Sequence, residues 1–449
     1  MGIIDGNLAE ATLNMSKYYA LLDEDYTKRL GRVTQVVGLT IESQGPDVRI
    51  GSSCLIRKSK RERGTLSQVV GFRDNKILLM PLGSMEGISP GCVVEAMGKP
   101  LTVKVGEKLI GRVLDGLGQP MDGKGAIFEG EDWPLTFKSP NPLTRTRISE
   151  NLDLGIKAID GLLTIGKGQR VGIFAGSGVG KSTLMGMIAR NTAAEVNVIA
   201  LVGERGREVR EFIEKDLGEA GLARSILVVA TSDQPALVRI KAAEVATTIS
   251  EYFRKQGKDV MLLMDSLTRY AMAQREVGLA IGEPPVSRGY TPSVFAVMPK
   301  LLERAGTSAE GSITGMYTVL VDGDDMTEPV TDTARGILDG HIVLSRDIAS
   351  RNRYPAIDVL SSVSRVMPDV IAPEHLRLAN EVKKSMAIYA NAEDLINIGA
   401  YVAGSNPEID NSISKHTAII SFLSQAVHEN FDNTQTLDQM MNIFRGSNP

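Results

Sequence analysis

Gln169-Arg-Val-Gly-Ile-Phe-Ala-Gly-Ser-Gly-Val-Gly-Lys-Ser-Thr183 reads as a strand, a glycine-rich loop and the start of a helix. Val171 to Phe174 has the composition of a short buried strand, and Leu184 to Arg190 that of the helix. Between them, Gly176, Gly178 and Gly180, interleaved with Ser177 and Val179, let the backbone curl with its N–H groups pointing inward, a cradle for phosphate oxygens. Lys181 adds a cation near the β- and γ-phosphates, and the Ser182 hydroxyl stands where a Mg²⁺ ligand is needed. With Thr183 it opens the helix whose N-terminus completes the anion site. The ligand this predicts is ATP with Mg²⁺. Ala175 takes the first glycine position of the usual G-x-x-x-x-G-K-[ST] pattern, as the smallest substitute available.

Outward from the loop, apolar strands alternate with helices. Val196–Val202, Ile226–Ala230 and Val260–Met264 read as strands, and Ala236–Arg254 as a helix between two of them. This alternation predicts a parallel α/β sheet, with ligands at the carboxyl ends of its strands. Two of those ends carry suitable chemistry. Val260–Met264 runs into Asp265, a carboxylate able to hold the Mg²⁺ shell through water. Val196–Val202 runs into Gly203-Glu204-Arg205, where Glu204 can orient an attacking water and Arg205 can meet a γ-phosphate. Either carboxylate alone reads as a helix cap or a surface charge. Their joint placement after a phosphate loop points to hydrolysis.

Farther out the patterning changes twice. From Gly31 to about Glu95 short β-branched runs, Arg32–Leu39, Asp47–Ile50, Val69–Phe72 and Ile77–Met80, are broken by turn residues, as in a small barrel or sandwich. Ahead of them Leu8, Ala11, Met15, Tyr18, Tyr19 and Leu22 fall on one helical face. Beyond Pro373 the chain reads as mostly helical, over His375–Ala390, Ser414–Asn430 and Thr436–Phe444, with breaks at Gly404 and Pro407. The expected organisation is an amphipathic helix over 1–25, an all-β domain over 26–96, a nucleotide-binding domain over 97–372 and a helical domain over 373–449.

Bulk properties exclude several classes. The 449 residues carry a net charge of −4, which gives no global basic footprint for nucleic acid. Two cysteines, Cys54 and Cys92, are too few for a disulfide framework, and a reducing compartment is expected. No apolar run approaches a membrane span and no signal peptide opens the chain. The Met1-Gly2 start lacks the Ser or Thr that myristoylation wants, because Gly6 stands there. His341, His375, His416 and His428 are scattered without metal-ligand spacing.

The run Gly203-Glu-Arg-Gly-Arg-Glu-Val-Arg-Glu-Phe212 resembles the catalytic segment of the ATPases that energise flagellar and type III protein export, relatives of the catalytic β subunit of rotary ATP synthases. The resemblance continues through Asp265-Ser-Leu-Thr-Arg-Tyr-Ala271, Gly282-Glu-Pro-Pro-Val-Ser-Arg-Gly-Tyr-Thr-Pro-Ser-Val-Phe295, Leu338-Asp-Gly-His-Ile-Val-Leu-Ser-Arg346 and Tyr354-Pro-Ala-Ile-Asp-Val-Leu-Ser-Ser-Val-Ser-Arg365. Gly111-Arg-Val-Leu-Asp-Gly-Leu-Gly-Gln-Pro120 is similar to a segment shared across the wider rotary family. The likeness covers nearly the whole chain from about residue 30. It implies an α/β fold: a RecA-like P-loop ATPase core with an N-terminal small β-barrel and a C-terminal helical domain.

The resemblance also implies roles. Glu204 matches the glutamate that polarises the lytic water, and Arg205 and Arg269 match γ-phosphate contacts. Arg365 looks like the arginine finger that one subunit inserts into its neighbour's site, and Tyr354 like the aromatic that packs on adenine. An ordinary core aromatic and a surface salt bridge are the plainer readings of the last two. Lys181, Glu204 and Arg365 together supply both halves of an interfacial site, which implies a homohexameric ring. The expected partners are a stator-like regulator on the N-terminal helix, a central stalk-like protein, export substrates with their chaperones, and the export gate at the cytoplasmic face of the membrane. The Gly-Pro-rich segment 282–292 suits a stiff loop toward the central channel, or a rigid surface turn.

Val36-Val-Gly-Leu-Thr-Ile-Glu-Ser-Gln-Gly-Pro46 is more similar to the flagellar than to the virulence-type enzyme. A hexameric nucleic-acid motor would need a basic, aromatic-bearing surface, which this acidic chain with 5% aromatics does not offer. A non-hydrolysing ring subunit would lack Glu204.

Overall fold

The structure, a computed structural model, describes residues 28–59, 63–136, 139–321, 323 and 325–445. The amphipathic segment 8–22 lies outside the described residues. The chain divides into two units, Met1–Lys99 and Pro100–Pro449.

The first unit holds β1 (Leu30–Val37), β2 (Thr40–Gln44), β3 (Ser53–Arg57), β4 (Thr65–Arg73), β5 (Lys76–Pro81) and β6 (Val93–Ala96). They close into an antiparallel barrel in the order β1-β2-β5-β4-β3-β6. Alternating residues Val33, Ile41, Cys54, Ile56, Val69, Ile77, Leu79, Cys92 and Val94 fill it. The Asp74-Asn75 turn, with both residues at positive φ, is the tight hairpin geometry that matches strand twist. Two readings are corrected here. Arg32–Leu39 is not one strand, because the chain turns at Gly38 and β2 starts at Thr40. Asp47–Ile50 is not a strand at all: it follows the Gly45-Pro46 turn as irregular chain, and the strand comes later, at β3.

The second unit is built on a nine-stranded sheet. It contains β8 (Val113–Asp115), β10 (Arg170–Ala175), β11 (Val196–Val202), β12 (Ser225–Ala230), β13 (Asp259–Asp265), β14 (Gly306–Thr307), β15 (Ser312–Leu320), β16 (Gly340–Leu344) and β17 (Ile357–Ser364). The order is β17-β16-β10-β15-β13-β11-β12-β8, with β14 beside β15. A separate ribbon pairs β7 (Thr102–Val105) with β9 (Glu131–Pro134). From β16 to β8 the sheet is parallel, and its central strands are near-continuous apolar runs because both faces are covered. The edge differs from the expected all-parallel sheet. β17 runs antiparallel to β16, since the connection holds only the short Arg346–Ser350 helix and turns back without crossing the sheet.

Val171, Ile173 and Ala175 of β10 share one core with Ile199, Leu201, Met261, Met185 and Ile188, and also with Phe422 and Met440 of the C-terminal helices. Those helices span Pro373–Asn397, Pro407–Leu423 and Asn433–Arg445. The middle one starts and ends earlier than the Ser414–Asn430 pattern predicts. Asn406 caps it by accepting from the Glu408 N–H at 2.9 Å, with Pro407 at the first helical position. After Leu423 the backbone is used elsewhere: Gln425 N–H donates to the Tyr354 carbonyl at 2.9 Å.

Candidate nucleotide site

The phosphate loop leaves the carboxyl end of β10 and enters the helix Lys181–Asn191. Gly178 and Gly180 sit at φ +79° and +87°, a left-handed geometry that costs other residues energy and that turns successive N–H groups inward. Ser177 and Val179 lie between them, and Ser182 is half-buried in the first helical turn. Thr183 is turned aside, hydrogen-bonding Asp216.

The neighbouring strands in the sheet supply the charges. β13 delivers Asp265 and β11 delivers Glu204 one residue beyond Gly203, so both carboxylates reach the lysine. Lys181 Nζ donates to Asp265 Oδ1 and lies 3.8 Å from Glu204 Oε1. The three side chains are only 12%, 13% and 5% exposed for Lys181, Glu204 and Asp265, so their mutual field is weakly screened. Burial pushes the Glu204 carboxyl up to about 7, helped by the Asp265 charge and opposed by Lys181. Glu208, hydrogen-bonded to Glu204, is held below the ordinary carboxylate range. Asp265 is further fixed by Thr318 Oγ1, which donates to Oδ1 at 2.7 Å.

Arg269 belongs to the helix Leu267–Ile281, capped by Ser266, and its stem packs against Gly203. Its Nε is buried with no hydrogen-bond partner, a donor that an anion at the strand ends would satisfy. Arg205 is placed differently from the γ-phosphate contact expected: its side chain is 73% exposed and pairs with Glu208 at 3.3 Å. Tyr354 lies beside the loop, where a Cβ on Gly180 would be 3.5 Å from its ring, and it is 42% exposed. That leaves an aromatic face free for a base.

Arg365 is not brought to this cluster. It follows β17, and its N–H donates at 3.1 Å to the carbonyl of Asp339, whose own N–H bonds the Arg170 carbonyl at 2.8 Å. Arg170 is the first residue of β10 and Ala175 the last. At about 3.3 Å per residue the strand puts roughly 17 Å between Arg365's anchor and the start of its own loop. Arg365 is exposed there.

Sequence reasoning missed Thr318, Glu208, and Arg346, whose guanidinium lies 2.8 Å from where a Cβ on Gly176 would stand. It also missed Gln425. The Gln425 side chain accepts from Lys157 N–H at 2.9 Å and donates to the Gly155 carbonyl at 2.7 Å, which pins the chain segment behind Tyr354. None of these carried a local signal except Glu208 and Arg346, which lie within the family-like runs 203–212 and 338–346.

A left-handed glycine loop on a parallel sheet, with a lysine and two strand-end carboxylates converging, defines a P-loop nucleotide-binding protein. Family models add the rest. Residues 155–364 match the ATP synthase alpha/beta family, nucleotide-binding domain, and residues 33–98 match the beta-barrel domain of the same family. Residues 371–442 match the T3SS EscN ATPase C-terminal domain. The flagellum-specific ATP synthase of Bacillus subtilis is 58% identical over 90% of this chain and 93% of its own length. The type 3 secretion system ATPase of Xanthomonas euvesicatoria is 49% identical over 93% of this chain and 94% of its own. The solved structure of EscN from enteropathogenic E. coli in complex with its central stalk EscO is 46% identical. It covers 92% of this chain and 99% of its own, at a TM-score of 0.85. The chain belongs to the ATP synthase alpha/beta family, among the flagellum-specific ATP synthases and type 3 secretion ATPases.

Proposed function

We propose that this chain is a Mg²⁺-dependent ATPase that energises flagellar protein export as a ring of six identical subunits, with ATP held at each interface. One observation carries the ring. Arg365 stands at the opposite end of β10 from its own phosphate loop, so a finger role is open to it only in a neighbour's site.

ATP binding draws Lys181 from Asp265 and Glu204 onto the β- and γ-phosphates, while backbone N–H groups of 176–180 cradle the oxygens and Tyr354 stacks on the base. Freed of the lysine, Glu204 orients the attacking water and takes its proton; a carboxyl titrating near neutrality suits that task. Arg269 Nε meets γ-phosphate charge, and Arg205 reaches it by leaving Glu208. Arg365 of the adjacent subunit stabilises the transferring phosphoryl group. Ser182 and Asp265 are the residues that would hold Mg²⁺, which neutralises phosphate charge when bound.

The flagellar assignment rests on the 58% identity to the Bacillus subtilis enzyme; the injectisome reading keeps the same chemistry and is supported at 49%. A central stalk partner is supported by the EscN–EscO complex. The stator-like regulator, export cargo, chaperones and peripheral placement at the membrane gate belong to the same proposal. No helix among the described residues is long and apolar enough to cross a membrane. Treating 373–449 as a domain distinct from the 97–372 core is supported by the separate family match over 371–442.

Lys181→Ala is expected to lose ATP binding and turnover together, whereas Glu204→Gln keeps binding and loses on the order of 10²–10⁴-fold in phosphate release. Near wild-type hydrolysis by Glu204→Gln would remove the catalytic assignment.

A further inference from the structure

The strand that carries the phosphate loop has a second end, where the Gln169 and Arg170 side chains both reach Asp339, whose carbonyl holds the Arg365 backbone. Gln169, immediately before β10, is 0% exposed. Its Nε2 donates to the Asp339 carbonyl at 3.2 Å and to Ser364 Oγ at 3.1 Å, while its Oε1 accepts from Gly166 N–H at 2.9 Å. The same Asp339 carbonyl accepts the Arg365 N–H, and Ser364 is Arg365's chain neighbour. One buried amide therefore holds both groups that fix where Arg365 leaves the strand. Ser364 Oγ donates onward to the Thr164 carbonyl at 2.8 Å.

Arg170 locks the other side of Asp339. Its Nε and NH2 donate to Oδ2 and Oδ1 at 3.0 and 3.2 Å, and its backbone N–H donates to Oδ2 at 3.1 Å. Glu303 Oε1 lies 2.5 Å from NH1, an ion pair that lacks hydrogen-bond geometry. A planar guanidinium that grips a carboxylate through two N–H groups fixes it more rigidly than a point charge could. There is little slack nearby, since a Cβ on Gly340 would fall 2.6 Å from the Val363 carbonyl.

We infer that Gln169 and Arg170 are positioning residues for Arg365, so that one strand sets its own cradle at its carboxyl end and aims the finger for the neighbouring subunit at its amino end. This rests on the trans-acting reading of Arg365. An arginine that must meet a phosphoryl group works only within a narrow geometry, and a displacement of about 1 Å costs on the order of a hundredfold. Arg365 is exposed, and its backbone is held by the Asp339 carbonyl and, through the chain, by its anchored neighbour Ser364.

The test uses the full chain with Gln169→Met, which keeps volume and removes the amide, and Arg170→Lys, which keeps charge and removes the fork. Both are expected to bind ATP with unchanged affinity and KM, and to lose ten- to a hundredfold in kcat, on the order of the cost of a misplaced catalytic group. Mixed with Lys181→Ala, each is expected to regain activity, because Lys181→Ala subunits present an intact finger to the variant's intact cradle. Weakened ATP binding by the variants alone, or mixtures that stay inactive while Arg365→Ala is rescued by the same partner, would overturn the positioning role. If Arg365→Ala is not rescued either, the trans reading fails and this inference falls with it. Should Gln169→Met not fold, Arg170→Lys, on a half-buried side chain, carries the test.

Discussion

The two ends of β10 are built on opposite principles. At the carboxyl end one ammonium, Lys181, is shared between two buried carboxylates, and Arg269 Nε has no partner. At the amino end Gln169, Asp339, Ser364 and the Arg170 fork close on one another. Unresolved charge at one end is relieved when phosphate arrives, so binding there rearranges the groups. The closed network at the other end, in which Arg170 NH1 pairs with Glu303 without forming a hydrogen bond, resists rearrangement, as a group serving a second subunit requires. A site keeps its tension where the ligand enters and its rigidity where it must aim.

The largest effect that could break this contrast is at the rigid end. Arg365→Ala should leave ATP affinity almost unchanged and lower kcat on the order of a thousandfold, read by phosphate release beside fluorescent-nucleotide binding. A parallel loss of affinity would place Arg365 in its own subunit's cradle instead. Next comes the tense end. Glu204, faced by Asp265, Lys181 and Glu208, titrates near 7 and must be ionised to act as base. So kcat/KM should fall about tenfold per pH unit below that point and level off above it. The sign for stability is the reverse of the usual carboxylate. The folded chain holds this proton more tightly than the unfolded one, so stability is lost as pH rises from about 4.5 through 7. Glu204→Gln should therefore melt higher than wild type at pH 8, and an unchanged melting curve would deny the shift. The smallest effect sharpens the role of Thr318, buried against Asp265. Thr318→Val should cost about 1–2 kcal/mol in denaturant unfolding by leaving Asp265 short of one donor.

The tense end was largely legible because its chemistry is local. A strand, three glycines and Lys181 announce the cradle within one short segment, and Asp265 and Glu204 each end an apolar run. What completes it was not legible. Thr318 meets Asp265 from a strand 53 residues on, and Gln425 reaches Lys157 across 268 residues of chain, so only the tertiary fold joins them. The rigid end was legible only at Arg365, through its motif. Gln169 and Arg170 stood inside the most informative segment and still carried no sign of their partners, because a buried amide or fork is defined by what it meets. The misread elements have similar causes. Asp47–Ile50 looked extended but follows the Gly45-Pro46 turn, and the helix expected to reach Asn430 stops at Leu423 because Gln425 is bonded to Tyr354. Arg205 is a different case: its role was read from adjacency to Glu204, and meeting a γ-phosphate requires it to leave Glu208.

The account turns on whether one subunit's cradle works with another's finger. The most direct measurement is the ATPase rate of an equimolar mixture of Lys181→Ala and Arg365→Ala, with co-assembly shown by capture through a tag on one variant. Each alone should be nearly inactive. In randomly mixed rings half the chains offer a sound cradle and half a sound finger, so up to about a quarter of the interfaces, and of the wild-type rate, should return. Mixed rings that form and remain inactive would contradict a site shared between subunits.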